Sequence, residues 1–64
     1  MNLVTGKIVE IYVEGGTTMA RVQVGGPFTH VPIVFLPEAK LADIVVIDSG
    51  VAISRIGLEE VEEN

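Results

Sequence analysis

The 64-residue chain has no cysteine, no tryptophan, one histidine, His30, and four basic residues, Lys7, Arg21, Lys40 and Arg55. Without a thiol there is no disulfide framework, no thiolate nucleophile and no cysteine-ligated zinc or iron–sulfur centre. A histidine triad would rest on His30 alone. A metal site needs three or four ligands, so His30 is expected to be a half-exposed strand residue. The aromatics are Tyr12, Phe28 and Phe35. Three scattered rings and four scattered cations make neither a stacking platform nor a phosphate stripe, so nucleic-acid binding is not expected. Long apolar runs are missing too. The uncharged stretch from Val22 up to Glu38 is broken by Gly25, Gly26, Pro27 and Pro32, which excludes a membrane helix. The opening residues carry no basic start followed by an apolar core, so a soluble cytoplasmic protein is expected.

What is present is acid and β-branched residues. Net charge is −5, and Glu59, Glu60, Glu62 and Glu63 supply four of the nine acids. The body is therefore near neutral and the end is an acidic patch. Hydrophobic residues make up 48% of the chain, enough for one small core. A domain of this size buries only about 60% of its unfolded surface. With no disulfide and no structural metal, stability has to come from a compact local fold, from a partner, or from self-association as a homo-oligomer.

Val, Ile and Thr dominate, and Gly or Pro punctuates at short intervals, the pattern of short strands. The first strand is expected over Thr5 to Val13, with Val9, Ile11 and Val13 on one face. Ile8 breaks that alternation, which a bent strand serving two sheets or a bulge near Gly6 would explain. Glu14-Gly15-Gly16-Thr17 reads as a hairpin turn. The second strand, Thr18 to Val24, turns Ala20, Val22 and Val24 inward. The third, Phe28 to Ile33, contains Pro32, which cannot donate to a ladder and places the strand at an edge. Val34 to Ala42 has room for one helical turn that packs Phe35 and Leu36 across a barrel end. Phe28 and Phe35 are expected in the core and Tyr12 partly exposed.

The fourth strand, Asp43 to Asp48, is apolar at every internal position, which predicts burial on both faces. Asp43 and Asp48 read as turn acids that cap local amides. Asp43 and Asp48 stand one strand length apart, too far for a catalytic carboxylate pair. The fifth strand, Val51 to Ile56, reads with Val51 and Ile53 inward and Ser54 and Arg55 outward. Beyond Gly57, Leu58 and Val61 sit three apart, the spacing of a helical turn, in a tail that is either helical or frayed. The fold class is thus all-β: a small five-stranded OB-like barrel over residues 1–57, with a short acidic C-terminal tail over 58–64. No pair of side chains forms an acid–base or nucleophilic constellation, and neither Gly pair matches a phosphate loop. No catalytic residue, metal ligand or cofactor is expected, and the chain reads as acting by contact.

Order and spacing add a resemblance. Gly6-Lys7-Ile8-Val9-Glu10-Ile11 is followed by Ala20 to Gly26, Leu36-Pro37-Glu38, Asp43-Ile44-Val45-Val46, and Ser49-Gly50-Val51-Ala52-Ile53 with an acidic tail. The chain resembles the HypC/HupF family of hydrogenase assembly chaperones. The resemblance implies an OB-like barrel with a helical C-terminal extension. It also implies partners: a maturation scaffold protein, a hydrogenase large-subunit precursor, or both. Family members are accessory proteins, and they carry an iron–cyanide–carbonyl group held by a cysteine directly after the initiator Met. Here Asn2 stands at that place, and the opening is one residue shorter and lacks the family's Pro. The family's His two residues before the Gly of Gly-x-Ala is replaced by Asp48. By family position, the partner-binding residues are Met1, Asn2, Leu3, Asp48 and Gly50. The amide of Asn2 is a poor ligand for soft low-valent iron. The alternative to this reading is an OB-like structural or oligomerisation module with no link to hydrogenase.

Overall fold

A computed structural model describes residues 3–56. Five strands form one sheet: β1 (Leu3–Glu14), β2 (Thr17–Gln23), β3 (Phe28–Pro32), β4 (Ile44–Asp48) and β5 (Val51–Ile56), in the order β3-β2-β1-β4-β5, with every pairing antiparallel. The sheet curls until β3 and β5 touch without pairing, an OB-like barrel left open at one seam. No helix occurs among the described residues. The acidic tail, with the expected Leu58–Val61 turn, lies outside them.

β1 is the hinge of this arrangement. Its first half, Leu3 to Lys7, pairs with β4, and Lys7 to Glu14 pair with β2. The expected bend is therefore present, and so is a bulge. Ile8 pairs with Val22 and Glu10 with Arg21, so Val9 is the extra residue. The bulge switches the inward phase: Ile8 is 1% exposed, and Val13, expected inward, stands at 68% on the hairpin. β3 lies at the sheet edge, where its proline costs no ladder bond.

The core comprises Ile8, Ala20, Val22, Val31, Ile33, Leu36, Val45, Ile47 and Ala52. Expected burial on both faces of β4 is corrected to one: Val45 and Ile47 are buried, Ile44 and Val46 half-buried. The inward register of β5 is corrected as well. A second bulge lets Ser54 pair with Val46 and Ala52 with Ile47, and Ile53 is the residue skipped. Ala52 is buried, Ile53 is exposed, and the Arg55 side chain goes inward at 16% exposure. The expected helical turn over 34–42 is replaced by three successive tight turns, closed by Leu36 N to Ile33 O at 2.9 Å, Ala39 N to Leu36 O at 3.0 Å and Asp43 N to Lys40 O at 3.1 Å. These turns aim Leu36 into the core and leave Phe35 outside. Phe28 is exposed too, so neither phenylalanine is the core residue expected. Both find their place beside short turns, where side-chain direction is set by backbone geometry rather than by strand alternation.

Candidate functional site

Strand register brings together three of the five residues named by family position. Leu3, the first residue of β1, lies opposite Asp48, the last of β4. Asp48 in turn faces Val51 across a two-residue turn of Ser49 and Gly50. Both turn residues have positive φ, 56° and 80°, the pairing that a tight hairpin between right-twisted strands needs. Glycine takes such a φ without strain. Leu3, Asp48 and Gly50 thus form one end of the barrel. Met1 and Asn2 lie outside the described residues.

This end exposes apolar side chains beside one carboxylate. Leu3 and Val4 are 57% and 40% exposed, an apolar step beside the turn. The half-buried Asp48 accepts a hydrogen bond from its neighbour Ser49 Oγ at 3.3 Å. Among the described residues no second titratable side chain pairs with Asp48 through a hydrogen bond or an ion pair, so they form no acid–base pair there. Nor does any group of three or more His, Asp or Glu among the described residues come together to hold a metal ion.

His30 is exposed on β3 and holds the Tyr12 hydroxyl through Nδ1 at 2.7 Å. Tyr12 is half-exposed, as expected. A concavity of about 380 Å³ lies between β1, β2 and the 33–39 turns, lined by Ile11, Thr18, Ile33, Leu36, Pro37 and Ala39 among others. No titratable side chain lines it, so it offers an apolar contact and no proton chemistry.

Asp43 does more than cap a turn. It does accept from the Lys40 backbone N–H at 3.0 Å, and it also accepts from Arg55 Nε at 2.8 Å. The side chain is 2% exposed. The Arg55 hydrogen bond holds its carboxyl below the usual carboxylate range, against the upward push of burial. Sequence reading missed this pair. Its signal was phase: Asp43, Val45 and Ile47 alternate onto one face, so an acid in step with two core residues points into the core.

The sequence model of one family, HupF/HypC, matches residues 4–64. The chain belongs to the HupF/HypC family. The match spans nearly the whole chain and includes Asp48 and Gly50, but begins just past Leu3. No curated protein and no solved structure matches the chain significantly. HupF/HypC proteins are assembly chaperones rather than enzymes. No helix among the described residues is long and apolar enough to cross a membrane.

Proposed function

We propose that this HupF/HypC protein works in the cytoplasm by protein contact during hydrogenase maturation. It binds a maturation scaffold, a large-subunit precursor, or both, through the residues named by family position: Met1, Asn2, Leu3, Asp48 and Gly50. It does not itself hold the iron group that its relatives carry. One observation carries this reading: the family frame spans residues 4–64, yet the chain has no cysteine and Asn2 stands at the expected thiolate position. Shape and an anchoring patch suffice for binding, whereas a soft iron centre needs a soft ligand.

The test uses the purified chain with the scaffold and the large-subunit precursor of its own organism. Leu3→Asp and Asp48→Lys are each expected to weaken the complex tenfold or more. Iron bound per scaffold is expected to be the same with and without the chain. Failure to bind either protein would sink the reading, and so would iron that travels with the isolated chain.

A further inference from the structure

The outer face of β3-β2-β1 carries a second organised cluster, away from the Leu3–Asp48 end. In strand register Glu10 lies opposite Arg21 and Arg21 opposite His30. The next row runs Lys7, Gln23, Phe28. Ala20, Val22 and Val31 fill the core from the same strands, so these intervening residues point outward. Arg21 Nε donates to Glu10 Oε1 at 3.1 Å, and its guanidinium carbon lies 4.5 Å from the Phe28 ring centroid. Phe28 is nevertheless 49% exposed. Tyr12 and His30 meet edge to face, with centroids 5.8 Å apart, alongside their 2.7 Å hydrogen bond.

We propose that this face is a docking surface for an acidic peptide segment of a protein partner, one that carries carboxylates beside an apolar side chain. The contacts of Arg21 run through Nε and the face of its guanidinium, leaving its terminal nitrogens as uncommitted donors. When the Tyr12 hydroxyl donates to Nδ1 of His30, the ring proton sits on Nε2, a second donor. The two donors come from directly opposed residues, about 5 Å apart at Cβ. A carboxylate matches a guanidinium fork in geometry and in charge. Lys7 adds a cation one row away. Glu10 is the one acid in these two rows, and it is already engaged. These two rows are therefore net positive in a chain of net −5, and the other acid in phase with Glu10 on β1, Glu14, stands two rows beyond it.

Phe28 supplies the apolar half of the recognition. Arg and aromatic side chains dominate binding hot spots. Here they are held in place by each other before any partner arrives, which lowers the entropy lost on docking. The identity of the partner rests on the proposed function; the chemistry of the surface does not. With one contact at the Leu3 end and one on this face, the chain can touch two proteins at once.

The probe is a capped peptide, acetyl-Glu-Leu-Glu-Glu-Phe-amide, titrated into the 15N-labelled full chain, with its all-Gln counterpart as control. The Glu peptide is expected to shift the Arg21 Nε–H signal and the Phe28 and His30 amides. The Gln peptide and the Arg21→Gln variant are expected to bind tenfold or more weakly, and Lys40→Gln to bind as the wild type does. The amide spectrum itself reports that each variant is folded. Equal affinity for the two peptides, no loss in Arg21→Gln, or shifts confined to Leu3 and Asp48 would overturn the proposal. A full chain with Glu59, Glu60, Glu62 and Glu63 changed to Gln is expected to bind the peptide unchanged. If that variant binds tenfold tighter, with its Arg21 signal already moved before peptide is added, the chain's own tail occupies the face and the partner proposal falls. No hydrogenase protein enters this titration, so its outcome is independent of the maturation reading.

Discussion

Asp43→Asn is expected to destabilise the chain by about 3 kcal/mol, enough to leave much of it unfolded at physiological temperature. The substitution keeps the size of the side chain but removes the charge facing Arg55 Nε at 2.8 Å. Arg55 is 16% exposed, so its guanidinium would remain largely out of water while losing the Asp43 carboxylate. Breaking one side of a buried pair costs roughly 3–5 kcal/mol, and the partial exposure of Arg55 favours the lower end. Native stability runs at roughly 0.05–0.15 kcal/mol per residue, so a chain this short has little in reserve. Urea unfolding of Asp43→Asn should show a midpoint near zero denaturant. Asp43→Asn with Arg55→Met, which removes both charges, should recover at least half of the loss, because it leaves no uncompensated charge in the interior while the Asn side chain can still accept from the Lys40 N–H. A double variant no better than the single one would show that the pair is not the cause.

The same pair sets the behaviour in acid. The Asp43 carboxyl has its pKa lowered in the folded chain, chiefly by the Arg55 hydrogen bond. The unfolded chain therefore takes up a proton first as pH falls. The stabilisation is fully present above the unfolded carboxylate value of about 4 and is lost as pH drops through the lower folded value. Thermal midpoints of the wild type should be insensitive to this group between pH 5 and 8 and should fall below about pH 4. The double variant, Asp43→Asn with Arg55→Met, which keeps more of its stability, should lack this contribution to the acid slope. An equal slope in the variant would reassign acid sensitivity to other carboxylates.

The strands were legible because their signals are local. Period-two alternation and Gly turns put β2 and the hairpin at Gly15-Gly16 within a residue or so of their places. The out-of-phase Ile8 signalled a bend or a bulge in β1 but not its place at Val9, and nothing signalled the bulge in β5. One extra residue at Val9 and one at Ile53 each shift the inward phase, and a bulge is decided by the partner strand. That is why Ile8 rather than Val9 is core, and Ala52 rather than Ile53. Leu36 and Phe35 are adjacent, and only the tight turn closing on Ile33 O chooses between them. At the candidate end, Leu3 and Asp48 were named separately by family position. Their apposition is a product of β1–β4 register over a long stretch of chain. The outer cluster of Arg21, Phe28 and His30 was invisible for the same reason, since its members come together only when three strands align.

Gly6→Ala is expected to cost as much as the loss of a large core contact, although glycine is the smallest residue in the barrel. Gly6 is buried where β1 passes from its β4 partner to its β2 partner. A Cβ there would lie closer to Val22 Cγ1 than carbon atoms come, 2.7 Å from the Gln23 carbonyl oxygen and 2.9 Å from Val24 Cγ2. Val24 could yield by rotating. Val22 is a fully buried core side chain, and the Gln23 oxygen is backbone within the β2 ladder, so relief requires β1 and β2 to separate. Overpacking of this kind costs about 1–3 kcal/mol, and a backbone neighbour places it at the upper end. A domain of this size loses roughly 4–8 °C in Tm per kcal/mol, so the midpoint should fall by about 10–20 °C. Gly26→Ala supplies the contrast. Nothing lies within 4 Å of its Cβ and its φ is not positive, so alanine there restricts only the unfolded chain. Its midpoint should be unchanged or a few degrees higher. Equal Tm values for the two variants would mean that the approach of β1 to β2 at Gly6 is not what requires glycine there.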